Sequence, residues 1–178
     1  MTILLIDSVH SELNIGLIKE NTEFFKTCTE QRQHDKNLNK MVRELLAEQQ
    51  ISFEKIDAYA VVVGPGSWTG CRVGVAAVKA FAFAVPRPVI ALNSLEIIGN
   101  GKSPVALVSN LDNFYIFKNG KFTCEKLKST DGYITLNSIE PNEYCKNLVT
   151  QTREKFAQRQ FMDPTKLEPF YITNFTVK

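Results

Sequence analysis

Residues 58–84 read AYAVVVGPGSWTGCRVGVAAVKAFAFA, and the fold turns on them. The run from Tyr59 to Val63 is apolar, β-branched, short and stopped by Gly64, which predicts a buried strand. A compact turn follows, Gly64-Pro65-Gly66-Ser67-Trp68-Thr69-Gly70. The alanine- and valine-rich segment after it is too long for a strand and stops at Pro86, which predicts a helix. Strand, glycine turn and helix have the outline of a phosphate site, because a helix N-terminus presents free N–H groups. Two specific phosphate patterns nevertheless fail. A Walker loop needs Lys and Ser/Thr after its last glycine, and Gly70 is followed by Cys71 and Arg72. A dinucleotide fingerprint needs its third glycine where Thr69 stands. The glycines therefore read as suppliers of positive φ and close backbone approach.

The helix carries a second pattern. Gly70, Gly74, Ala77, Phe81 and Ala84 recur at spacings of four and three, so they share one face. Val73, Ala76 and Ala80 add short side chains, and only Arg72 and Lys79 are charged. A helix apolar all round is buried on more than one side. One side is expected on the protein's own sheet, the other against a second chain.

The 178 residues suffice for one domain or two small lobes. A net charge of +2 does not by itself imply nucleic-acid binding. No apolar run is long enough to span a membrane, and Met1 leads straight into a strand-like segment, so neither a membrane anchor nor a signal peptide is expected. Cys28, Cys71, Cys124 and Cys145 are scattered, which suggests reduced thiols, no metal site and a cytoplasmic protein.

Upstream, residues 2–7, 13–18 and 22–28 read as strands with short connections, hence an antiparallel meander. Residues 34–50 change period: Leu38, Met41, Val42, Leu45 and Leu46 recur at three and four, an amphipathic helix. Downstream, 88–92 is a buried strand, and Asn93-Ser94 caps a short helix over 95–98. The order β-β-β-α-β-α-β-α combines a meander with parallel crossovers. Past the linker at 99–103, strands are expected at 104–109, 114–118 and 122–128, with Asn119-Gly120 as a hairpin turn and 133–136 as a short addition. A helix over 141–160 with Tyr144, Leu148 and Phe156 inward follows, then a docked tail at 167–172, broken by Pro169.

The loop Gly64-Pro65-Gly66-Ser67-Trp68-Thr69-Gly70-Cys71-Arg72-Val73-Gly74, with this element order, resembles the TsaB (YeaZ) family, whose loop reads Gly-Pro-Gly-Ser-Phe-Thr-Gly-Leu-Arg-Ile-Gly. Leu5-Ile6-Asp7-Ser8 is similar to the family's Ile-Asp-Thr-Ser, His34 to its His-Ser-x-x-Leu start, and Asn93-Ser94-Leu95-Glu96 to its Ser-Ser-Leu-Glu. The resemblance covers residues 1–98 and fades beyond, where the chain looks shortened. It implies an α/β fold of actin–hexokinase (ribonuclease H-like) type: an N-terminal lobe at 1–102 and a reduced second lobe at 103–178. It also implies a non-catalytic subunit that pairs with a TsaD-like catalytic subunit. With a TsaE-like ATPase, that complex transfers threonylcarbamoyl to adenosine in tRNA. No cofactor of its own is expected, tRNA is met only through the complex, and a homodimer forms when the chain is alone.

The residues themselves agree with a binding role. The metal-binding relative uses His-x-x-x-His on the first helix, whereas His34 is followed four residues later by Leu38, so His34 reads as a cap or surface residue. Phosphotransferases of this superfold place a glycine in the first turn, where this chain has Asp7-Ser8-Val9-His10. Asp7 reads as a turn cap or a general base. Ser67 lacks the Gly-x-Ser-x-Gly of a nucleophile elbow. Arg72 is open between a structural role and holding a carbonyl or carboxylate. No catalytic residue is assigned. The partner interface is expected at Val73, Gly74, Ala77, Val78 and Phe81, with Leu38, Met41 and Leu45 beside it. The alternatives are an ATP-dependent phosphotransferase or ATPase of the same superfold, and a peptidase with Ser67 as nucleophile.

Overall fold

The computed structural model describes residues 1–30, 33–110 and 112–172. Its first sheet is built around β1 (Thr2–Asp7), β2 (Leu13–Lys19), β3 (Thr22–Cys28), β4 (Ala58–Gly64) and β5 (Val89–Asn93), in the order β3-β2-β1-β4-β5. The first three strands form the expected antiparallel meander, and β4 then pairs parallel with both β1 and β5. Strands β1 and β4 are buried on both faces, which is why they read as continuous apolar runs rather than alternating ones.

The two faces have separate cores, divided by the period-2 pleat. Leu4 and Ile6 of β1 point to one face, where α1 (His34–Glu48) and α2 (Trp68–Ala84) pack. Ile3 and Leu5 point to the other, with α3 (Ser94–Gly99) and α4 (Pro141–Ala157). The helix stripe read from the sequence, Leu38, Met41, Val42, Leu45 and Leu46, is the buried side of α1. Asn93 caps α3 by accepting the Leu95 N–H at 2.9 Å.

A second sheet of β6 (Val105–Asn110), β7 (Asn113–Lys118), β8 (Lys121–Lys126) and β9 (Ile134–Thr135) runs in the order β8-β7-β6-β9. Asn119 and Gly120 both take positive φ, 52° and 74°, as the two-residue hairpin turn requires. The 133–136 segment shrinks to two residues paired parallel with β6. After it, α4 returns to β5 and α3, so the C-terminal third contributes a helix to the first sheet's second face. This mixed α/β architecture, with its meander-plus-parallel first sheet, is of ribonuclease H-like, actin type.

Candidate functional site

The glycine loop leaves β4 at Gly64 and enters α2 at Trp68, and it packs on the turn joining β1 to β2. Ser67 N donates to Val9 O at 2.8 Å, and Ser8 Oγ donates to Gly70 O at 2.8 Å. A Cβ at Gly66 would sit 2.5 Å from Val9 O, and one at Gly70 would overlap the Ser8 carbonyl oxygen. Gly74, one turn further on, faces Ser8 Oγ, which a Cβ would meet at 2.6 Å. Within the loop the expectation of positive φ holds only at Gly64, at 114°. At Gly66 and Gly70 the requirement is approach: two backbones meet where no side chain fits. Pro65 lies buried between these contacts, and Thr69 is exposed on the first turn of α2.

Ser67 is the N-cap of α2, its Oγ accepting the Gly70 N–H at 3.2 Å. His34 lies across the same β1–β2 turn, with Nδ1 3.2 Å from Ser8 O and Nε2 3.3 Å from Ser11 O. A neutral ring donates to one of the two, the tautomer deciding which. His34 is the first residue of α1, with Gln33 at the cap, so it acts as a clasp on the turn rather than as a cap. Asp7, fully buried at the end of β1, accepts from Val9 N at 3.1 Å and from Tyr144 Oη at 2.9 Å. It is a turn cap tied to α4. Burial, reinforced by Asp7, pushes the Tyr144 phenol well above its usual range. His10 stands edge-on to Tyr144, ring centroids 5.5 Å apart, and its enclosed Nε2 has no partner among the described residues. Burial holds the His10 imidazole below its usual value, against the opposing charges of Asp7 and Glu12.

Two openings flank the loop. One of about 740 Å³ lies between the turn, α1 and α2, lined by His10, His34, Asp35, Ser67 and Thr69. Another of about 490 Å³ lies between the start of α2 and β6–β7, lined by Ser67, Trp68, Val108, Asn110 and Tyr115. Arg72 settles into a structural arrangement beside the second. Its guanidinium lies 4.1 Å from the centre of the Trp68 ring, and Nε donates to Tyr171 Oη at 3.2 Å. Among the described residues, no three His, Cys, Asp or Glu side chains gather as a metal-binding group. No described helix is long and apolar enough to cross a membrane.

The residues expected at a partner surface divide. Gly74, Val78, Leu38, Met41 and Leu45 are buried within this chain, so they serve its own packing. Placing Gly74 and Val78 at the centre of an outward surface, with Leu38, Met41 and Leu45 beside them, is corrected: the sheet takes them, because the widest apolar stripe of each helix faces it. Val73, Ala77 and Phe81 are half-buried. The open side of α2 is instead Arg72, Ala76, Ala80 and Phe83, with Phe83 90% exposed. Phe83 escaped the sequence reading because 3.6-residue spacing identifies faces without saying which one the sheet covers.

A protein-family model described as TsaD, tRNA N6-adenosine threonylcarbamoyltransferase, matches residues 28–109. The TsaB protein of Bacillus subtilis is 31% identical over 131 residues, covering 67% of this chain and 57% of that one. The TsaB protein of Haemophilus influenzae is 32% identical over 95 residues, covering 53% and 40%. The chain belongs to the TsaB (YeaZ) family. It spans about half the length of the curated TsaB relatives it matches. The solved structure of YeaZ from Pseudomonas aeruginosa superimposes with a TM-score of 0.76 over 96% of this chain and 99% of its own, at 21% identity, which establishes a shared fold. A second structure from that organism, equally close, is described as similar to peptidase YEAZ. The tRNA N6-adenosine threonylcarbamoyltransferase of Bartonella bacilliformis is 43% identical over 65 residues, 36% of this chain and 18% of that enzyme.

Proposed function

We propose that this chain is a non-catalytic scaffold subunit in the formation of N6-threonylcarbamoyladenosine in tRNA. In this reading it binds a TsaD-like transferase through α1 and α2, works with a TsaE-like ATPase, and forms a homodimer when that partner is absent. The observation that carries the reading is the closure of the glycine loop on its own chain. Gly66 and Gly70 receive the backbones of Val9 and Ser8, so the close approach that a phosphate would use is already occupied. Leu38, where the metal-binding relative has its second histidine, is buried in the core. Ser67 Oγ caps a helix by accepting the Gly70 N–H, and both ring nitrogens of His34 face carbonyl oxygens of the β1–β2 turn rather than that hydroxyl. The peptidase reading has no geometric support from these residues.

The accessible part of the proposed interface is Val73, Ala76, Ala77, Ala80, Phe81 and Phe83. Small residues let a partner helix approach, and an exposed aromatic supplies burial energy once covered. The division into lobes at 1–102 and 103–178 is part of the same proposal. The test is Ala80→Arg, at an exposed position where the free chain keeps its fold and the long charge reaches water. In a complex the charge lands in the seam, and leaving it unpaired there costs several kcal/mol. The expected outcome is normal circular dichroism, loss of binding to a TsaD-like protein, and loss of threonylcarbamoyladenosine from the tRNA of cells carrying only this variant. A folded variant with normal binding and modification refutes the assignment of this face. ATP turnover by the purified chain alone would restore the phosphotransferase alternative.

A further inference from the structure

The tail after α4 crosses from one sheet to the other. Leu167 is fully buried on the α1–α2 side of the first sheet. Glu168 is exposed, and Pro169 to Ile172 are half-buried. Phe170 N donates to Val63 O at the end of β4, at 2.8 Å. The tail's backbone presses on the glycine loop there, since a Cβ at Gly64 would sit 3.1 Å from Phe170 O. The Phe170 ring meets Phe122 of β8 edge to face, at 5.4 Å. Tyr171 stacks on Trp68 at 4.4 Å and accepts from Arg72 Nε at 3.2 Å. That last distance is too short to reach around an indole, so Tyr171 and Arg72 cover the same face of Trp68. The opposite face stays open, in keeping with the 56% exposure of Trp68.

We propose that residues 167–172 are a releasable strap that holds the glycine loop to the second sheet and narrows the opening between α2 and β6–β7. Leu167 is its fixed end. Beyond it, among the described residues, the hold rests on one main-chain hydrogen bond, two aromatic contacts, one bond from an exposed arginine and the half-buried packing of Phe170 and Ile172 at the edges of the two cores. Strand β4 beneath it is paired on both sides. Segments with few hydrogen bonds and exposed anchors open at free energies well below global unfolding. Release takes Tyr171 off the covered face of Trp68, leaving Arg72 there, frees the backbone over Gly64, and widens the 490 Å³ opening that Trp68, Tyr171 and Ile172 line together.

The chain's single tryptophan, Trp68, reports the strap directly. In the unaltered protein the Phe170 amide exchanges with solvent about 100-fold faster than the Val61 amide in β4. Tyr171→Ala and, separately, Arg72→Met raise Phe170 exchange about tenfold and acrylamide quenching of Trp68 about twofold, with the urea midpoint unchanged. Phe170 exchange as slow as that of Val61 overturns the proposal, because the tail is then part of the cooperative core. A fall in the urea midpoint of both variants overturns it for the same reason. Unchanged quenching in both variants overturns it by showing that Tyr171 does not cover Trp68.

Discussion

Gly70→Ala separates two opposite expectations by sign. Gly70 is the third residue of α2 and has no unusual φ, so helix propensity alone makes alanine better by about 1 kcal/mol. The packing says the reverse. A Cβ there lies 3.0 Å from the Ser8 carbonyl carbon and overlaps the oxygen bonded to it. The Ser8–Val9 backbone has little room to yield: Asp7 Oδ1 holds Val9 N, Ser67 N holds Val9 O, and His34 lies against Ser8 O. Forcing an atom into such a site costs about 1–3 kcal/mol. Pushing the turn away also strains the hydrogen bond from Ser8 Oγ to Gly70 O, worth about 1 kcal/mol. Taken at the upper end of the steric range and less the propensity gain, the net destabilisation is about 2–3 kcal/mol. For a chain of this size, that lowers the melting temperature by about 4–12 °C. Urea unfolding measures it, with an unchanged slope showing that only stability moved. Ala76→Gly, exposed on the same helix, supplies the scale and should cost about 1 kcal/mol. A Gly70→Ala protein as stable as the parent, or more stable, refutes the claim that the loop's glycines exist for close approach.

The same packing predicts coupling between Gly74 and Ser8. Gly74→Ala drives a Cβ against Ser8 Oγ, so each of Gly74→Ala and Ser8→Ala destabilises alone, and the double variant loses less than their sum by about 1 kcal/mol or more. Strict additivity in urea unfolding would contradict it. His10 carries a pH signature. Its folded value is lowered below the ordinary 6.5 by burial, so protons bind the unfolded chain more readily. The stability this contributes is fully present above the unfolded value and is lost as pH falls below 6.5 towards the folded one. His10→Asn should therefore lose less stability than the parent between neutral and mildly acid pH. Parallel urea midpoints across that range would exclude His10 as a source of acid sensitivity.

Much of this fold was legible in one dimension because its signals are local. The strand ending at Gly64, the helix begun after Ser67, the Leu38–Leu46 stripe and the Asn119-Gly120 turn each depend on residues within a few positions of one another. Backbone preference and apolar period act at that range, so the element order and the strand–turn–helix outline follow from them. The site depends on what meets across the chain, which no local preference encodes. Tyr144 reaches Asp7 from 137 positions away, and Tyr171 reaches Arg72 from 99, turning an unassigned arginine into the pin of a strap. That Gly66 and Gly70 admit the Val9 and Ser8 backbones, rather than a ligand, was settled only when β1 and β4 paired and brought the two turns together. The alanine-rich sequence of α2 made nearly every side of it a plausible interface. The sheet, by covering Gly74, Val75, Val78 and Ala82, decided that Ala76, Ala80 and Phe83 are the side left for something else.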